Sequence, residues 1–299
     1  MCSVVFHDFR LFVIRKNEDL SNFLKKRLSK VVLPLIVWSA IYIFWKNFET
    51  NSPVTLISFF SILFSPAYYH LWFLYAIIGV YFFVPILRIF VIHADKKVNY
   101  YYYIFLWFFA VSIIPFMEKF TSIKSSFDFL SVSGFFGYCL LGFFLGKNDL
   151  FLQKVKKLLF IFIIFFGFTV FGTYILTARN ENHIFDEYFY GYLSPNVVIM
   201  SVTAFLLIKI LAQKQKAIFF ENAKFLNVLS SFSSASFGIY FIHAIFLSLL
   251  SQGFFGFTLN GFIRSAWYSI PATAILTFFF SYLTVIAIKK VPILKKIVP

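Results

Sequence analysis

Long apolar runs alternate along this chain with short polar or basic connections, and the runs show neither the period-2 alternation nor the turn punctuation of a membrane barrel. A helix needs about 20 mostly apolar residues to cross a hydrocarbon layer about 30 Å thick, with about 17 as the lower limit. Eight runs qualify, at approximately 31–48, 70–90, 101–117, 130–146, 157–177, 195–211, 227–250 and 266–288. The pattern predicts an all-α fold, a polytopic membrane helix bundle of about eight transmembrane helices. The run from Val54 to Ser65 is apolar but too short to cross, and is expected to lie on or dip into the outer face. Gly142-x-x-x-Gly146, in the fourth run, predicts close helix packing.

Charge sets the direction of the spans. Of the 27 Lys and Arg residues, 22 fall in the N-terminal segment and the connections on its side, and five fall opposite. Cytoplasmic loops hold the positive excess, so both termini are expected in the cytoplasm. If Val54–Ser65 crossed, the split would become 11 against 16, which is why that run is kept at the surface. Composition agrees, with 61% hydrophobic and 13% charged residues. An ordinary soluble domain has about 25% charged residues, so a soluble globule is excluded, and the hydrophobicity excludes disorder. The net charge of +15 would suggest nucleic acid if it formed one patch. Its distribution over the connections assigns it to topology, with membrane lipid as partner and no nucleic acid. Cys2 and Cys139 lie far apart, and the histidines His7, His70, His93, His183 and His243 show no metal-ligand spacing, so neither a disulfide nor a metal site is expected.

Three places carry candidate chemistry. Lys26, Arg27 and Lys30 cluster within about one helical turn just before the first span, where they could hold several phosphates or simply anchor the chain on anionic lipid. The second span opens with Tyr68, Tyr69, His70 and Trp72; the aromatics suit the interfacial belt, whereas an ionisable His70 at the lip of a span suits a wet cavity. In the seventh span Ser233, Ser236, Tyr240 and His243 follow steps of three, four and three and share one helical face. Such serines commonly hydrogen-bond within a bundle, but a histidine there is costly unless paired or hydrated. His243 and His70 are therefore the candidate acid-base groups, with Tyr240 one turn away to orient His243. The outer loop from Ala178 to Asn196 sets Glu181, His183, Asp186 and Glu187 beside Tyr188, Phe189, Tyr190 and Tyr192, a mixture suited to hydroxyl-rich ligands and equally to an ordinary interfacial loop. Trp72, Tyr240, Asp186 and Tyr190 are the candidate substrate contacts.

Three blocks in order, FLKKRLSKVVLPLIVWSAIY, HLWFLYAIIGVYFFVPILR and SFGIYFIH, resemble acyltransferase family 3, the bacterial integral-membrane O-acyltransferases, especially members that acetylate surface glycans. The resemblance runs from about Asn22 to the C-terminus. It implies a bundle of about ten spans in the bacterial cytoplasmic (inner) membrane. It also implies transfer of an acyl group, usually acetyl from acetyl-CoA as donor substrate, to a hydroxyl of a cell-envelope glycan. The family's paired-arginine motif, which meets the CoA phosphates, matches as Arg27-x-x-Lys30, with a lysine that keeps the charge but loses the fork. The family's upstream Arg/Lys-x10-His motif has no counterpart, since no basic residue stands eleven positions before His7. On this reading residues 1–21 are an atypical cytoplasmic N-terminal segment, residues 22–299 are the acyltransferase-3-like transmembrane domain, and the chain resembles a member without its first two helices, so that an inactive, truncated member lacking the family's catalytic histidine is the alternative the resemblance leaves open. The alternative from the residues themselves is a transporter or flippase of a lipid-linked glycan, although no internal repeat supports it.

Overall fold

The computed structural model describes residues 19–93, 97–121, 134–147, 154–180, 185–214, 223–261, 263, 265–292 and 294–298, and among them it contains helices and no strand. In chain order these are α1 (Leu20–Thr50), the short α2 (Leu56–Phe60), α3 (Trp72–His93), α4 (Lys97–Phe108), α5 (Ile114–Phe120), α6 (Phe136–Lys147), α7 (Val155–Arg179), α8 (Pro195–Lys214), α9 (Ala223–Ser251) and α10 (Ala266–Lys289). Seven candidate spans are long and apolar enough to cross a membrane among the described residues. The eighth expected span, 130–146, is described only from residue 134, as the apolar twelve-residue α6. The N-terminal segment as far as residue 18, with His7, lies outside the described residues, as do Glu181 and His183.

Local chemistry fixes the ends of α1. The Asp19 carboxylate accepts the Ser21 N–H at 3.2 Å and satisfies one of the free donors of the first turn. At the other end Asn51 takes a left-handed conformation (φ 52°) and its N–H returns to the Asn47 carbonyl. Between α4 and α5 the backbone widens into a π-turn over Phe109–Ile113. Pro115, which follows at once, has no N–H and its ring crowds the carbonyl four residues back, so the ladder must rearrange there. The Val54–Ser65 run forms α2 and a 3-10 turn, Ser61–Leu63, with Leu56, Ile57 and Phe64 largely exposed.

The described chain divides into two compact units. Residues 19–82 and 223–298 form the first, with a core of Val31, Leu35, Trp38 and Tyr42 from α1, Leu74 and Ile77 from α3, Phe241 and Ile242 from α9, and Val285 from α10. α10 buries Ser269, Thr273, Thr277, Ser281 and Val285, one every four residues. Small side chains at that spacing let membrane helices approach closely. At Gly238 of α9 a Cβ would lie 2.8 Å from Val285 Cγ2, so only glycine fits. The C-terminal turn Leu294–Ile297 folds back onto α1, where the Trp38 indole N–H donates to the Ile297 carbonyl at 2.9 Å.

Residues 83–214 form the second unit, around Trp107, Val111, Leu140, Phe144, Leu206 and Ile210. α7 buries only Leu158 and exposes Phe160, Phe171 and Tyr174, the composition of a helix with lipid on most sides. The glycine expectation needs correction here. Among the described residues a Cβ at Gly142 would meet nothing within 4 Å, so that position makes no close contact with the described helices. The close approach is at Gly137, where a Cβ would fall 2.1 Å from the Trp107 indole nitrogen, because Trp107 lies flat against the start of α6 and donates to the Gly134 carbonyl.

Candidate functional site

Three separated segments of the first unit converge on one pair of histidines. His70 lies in the 3-10 turn Tyr69–Leu71, which runs directly into α3, and His243 lies on α9; their rings meet edge to face with centroids 4.9 Å apart. Around His70 stand Tyr42 of α1 (4.9 Å), Tyr69 and Tyr240 (both 5.4 Å) and Tyr68 (5.8 Å). Tyr42 stacks on Tyr68 at 4.6 Å, so α1 and the segment before α3 are joined ring to ring beside the histidine.

The hydrogen bonds of this cluster distinguish the two histidines. The Tyr42 phenol donates to the Phe241 carbonyl at 2.6 Å, and the Tyr240 phenol donates to the His70 carbonyl. Both hydroxyls are thus spent on main-chain oxygens. The His243 Nδ1 pairs with the Tyr240 carbonyl at 2.7 Å; a carbonyl only accepts, so Nδ1 carries the proton and the basic lone pair is at Nε2. The main-chain carbonyl of Tyr240, rather than its hydroxyl, orients the ring. His70 is 6% exposed, and among the described residues neither of its ring nitrogens makes a well-formed hydrogen bond, the nearby Phe241 carbonyl being taken by Tyr42. A buried polar group left that way costs about 1–3 kcal/mol, which a ligand hydroxyl or carbonyl would recover. Among the described residues no cluster of His, Cys, Asp or Glu side chains is able to hold a metal ion.

One acidic residue beside this cluster went unnoticed in the sequence. Glu49, at the end of α1, accepts the Tyr68 hydroxyl at 3.0 Å and the Ser248 hydroxyl of α9, and Gln252 donates to Ser248 at 2.8 Å. Burial and the Glu49 carboxylate both hold the Tyr68 phenol well above the usual tyrosine range, so it stays protonated and donates. The available signal was isolation, since no other acidic residue occurs between Asp19 and Asp95.

The other sequence candidates distribute as follows. Lys26 and Lys30 are exposed on the first turns of α1. Arg27 packs its guanidinium 5.1 Å from the Phe23 ring centroid, and its Nε is buried without a partner among the described residues. Ser236 donates to the Ser233 carbonyl at 2.7 Å, so the Ser236 hydroxyl is satisfied within its own helix. Trp72 is half-buried at the start of α3 with Phe73 as a ring neighbour at 6.1 Å. Asp186 and Tyr190 belong to the second unit. There Asp186 pairs with Lys119 at 2.8 Å and accepts the Tyr188 N–H at 2.9 Å, and Tyr190 packs on Phe185 at 5.4 Å. The Lys119 ammonium holds the Asp186 carboxyl below the usual range.

Neither a curated protein nor a solved structure matches the chain. The family model described as the acyltransferase domain, of acyltransferase family 3, matches residues 5–286. That span takes in both histidines, the basic turn of α1 and nearly all of α10, and the chain therefore belongs to acyltransferase family 3, a family of multi-pass membrane acyltransferases.

Proposed function

We propose that this protein transfers an acyl group, acetyl in the simplest case, from acyl-CoA to a hydroxyl of a cell-envelope glycan across the bacterial cytoplasmic membrane. The observation that carries the reading is the histidine pair, one ring with its proton fixed on Nδ1 and the other buried with neither nitrogen in a well-formed hydrogen bond among the described residues. His243 Nε2 removes the proton of the acceptor hydroxyl as its oxygen attacks the thioester carbonyl. The tetrahedral intermediate collapses with cleavage of the C–S bond, the acyl group stays on the glycan oxygen, and the CoA thiolate leaves and takes up a proton. His70, as a neutral imidazole, donates one hydrogen bond to the reacting oxygen or to the acceptor.

Donor placement is consistent with this chemistry. Arg27 and Tyr42 lie fifteen residues apart on α1, about 22 Å at 1.5 Å per residue. Phosphates held by Lys26, Arg27 and Lys30 at the cytoplasmic end would leave the extended arm of the donor to carry its thioester up to the level of the histidines. Arg27 offers a buried donor that an anion would satisfy.

The test is acyl transfer from radiolabelled acetyl-CoA to extracted envelope glycan by the purified protein. Arg27→Ala is expected to weaken acyl-CoA binding by about 1.5–3 kcal/mol through loss of a charged hydrogen bond. Binding unchanged by Arg27→Ala would return the basic cluster to a lipid anchor, and glycan translocation without acyl-CoA consumption would replace transfer by transport.

A further inference from the structure

At the Glu49 end of the first unit an open cavity of about 720 Å³ is lined by Gln252, Gly253, Gly256, Phe257, Thr258, Ile263 and Tyr268. We infer that this cavity is a binding subsite for a neutral sugar residue of the acceptor, joined to the histidine pair through Gln252, Ser248, Glu49 and Tyr68. The inference deepens the transferase reading, on which the word acceptor rests.

The turn after α9 builds the cavity. Gly253 and Gly256 have φ of 77° and 81°, a region where side chains are strained, and a Cβ on Gly253 would lie 2.9 Å from the Thr258 methyl. The chain then returns, with the Leu259 N–H on the Leu250 carbonyl at 2.9 Å. Phe255 stacks on Phe280 of α10 at 5.1 Å and pins the loop to the bundle. These contacts make the cavity part of the fold.

Its lining selects a class of ligand. Phe257 and Tyr268 are each about half exposed, at 48% and 49%, and offer rings on which the C–H face of a sugar can lie. The Gln252 amide and the Thr258 hydroxyl supply the donors and acceptors that hydroxyl groups need. A lipid tail would leave those groups unpaired. Among the described residues the lining carries no charge, and the nearest relay group behind Gln252 and Ser248 is a carboxylate, which disfavours an anionic ligand such as a CoA phosphate there. The volume falls within the about 300–1,000 Å³ of small-molecule pockets.

The relay gives the cavity its connection to the chemistry. Gln252 donates to Ser248, Ser248 donates to Glu49, and Glu49 accepts Tyr68, whose ring is 5.8 Å from that of His70. A sugar seated at Gln252 would therefore be linked by hydrogen bonds as far as Tyr68, whose ring rather than its hydroxyl meets the buried histidine.

The experiment is saturation-transfer NMR on the full chain in nanodiscs, with methyl α-D-glucopyranoside and methyl α-L-rhamnopyranoside as probes and glucose 6-phosphate as the anionic control. At least one neutral glycoside is expected to receive saturation at its ring protons and the phosphate none. Phe257→Ala should reduce the signal at least fivefold, Phe257→Tyr should restore it, and Phe171→Ala, on lipid-facing α7, should leave it unchanged. No signal from either glycoside, or a signal indifferent to Phe257→Ala and Gln252→Ala, overturns the subsite. Acyl transfer measured in parallel separates the two claims. Turnover with an acceptor KM unaffected by Phe257→Ala removes the cavity while the transferase stands. Cavity-dependent glycoside binding without any turnover leaves a sugar site and removes the transferase.

Discussion

Each unit sets titratable groups among tyrosine rings, and the two do opposite things with them. In the second unit Asp186 is paired with Lys119, its other oxygen takes the Tyr188 N–H, and its own N–H is accepted by Thr177, so the charged group of that loop is answered inside the protein. In the first unit the phenols of Tyr42 and Tyr240 are committed to carbonyls, and His70, held by four tyrosine rings, has no well-formed hydrogen bond at either ring nitrogen among the described residues. Satisfied polar groups brace a loop, whereas a buried polar group that the fold leaves unpaired is a place for a ligand. Substitutions at the histidine pair should therefore change turnover, and substitutions at the Asp186–Lys119 pair should change stability alone.

The largest effect is expected for His243→Ala, a loss of about 10²–10⁴ in the rate of acyl transfer if Nε2 is the base. Chain folding, checked by the thermal transition of the purified protein, should be nearly unchanged. Full activity in this variant would erase the contrast between the units. Next is Gly137→Ala, at which a Cβ meets an indole that is 2% exposed and cannot swing away. Overpacking of this kind costs about 1–3 kcal/mol, read as a lower thermal midpoint with unchanged specific activity of the folded fraction. Gly142→Ala on the same helix should be neutral or slightly stabilising, since it meets open space.

Tyr240→Phe leaves the His70 carbonyl without its side-chain donor and should cost about 1–2 kcal/mol, with a fall in kcat larger than any change in acyl-CoA binding. An equal loss in both would show that the bond supports the helix and not the histidine. The smallest effect is Asp186→Asn. Because Lys119 is 41% exposed, solvent screens the pair and the loss should be about 0.2–1 kcal/mol. The Asp186 carboxyl is depressed in the fold, so its contribution is present above the unfolded carboxyl pKa of about 4 and is lost as pH falls below that value. A stability difference between wild type and Asp186→Asn that does not shrink as pH falls below about 4 would contradict the pairing.

The sequence by itself determined the membrane class and the helical architecture, because about 20 apolar residues in succession have one inexpensive solution in lipid, a helix that satisfies its own backbone. It also marked His70 and His243, since an ionisable group is conspicuous in a run such as SFGIYFIH. Only the tertiary structure brought those two rings to 4.9 Å, committed Nδ1 of His243 to a main-chain carbonyl and placed Glu49 against Tyr68 and Ser248. Glu49 and Ser248 are 199 residues apart, and no local periodicity encodes a contact across that distance. The glycines show the same boundary: Gly142-x-x-x-Gly146 has the spacing of a packing motif and Gly137 does not, yet Gly137 meets the neighbour. Spacing within one helix says which residues share a face, and what stands opposite that face is decided by the other helices of the bundle.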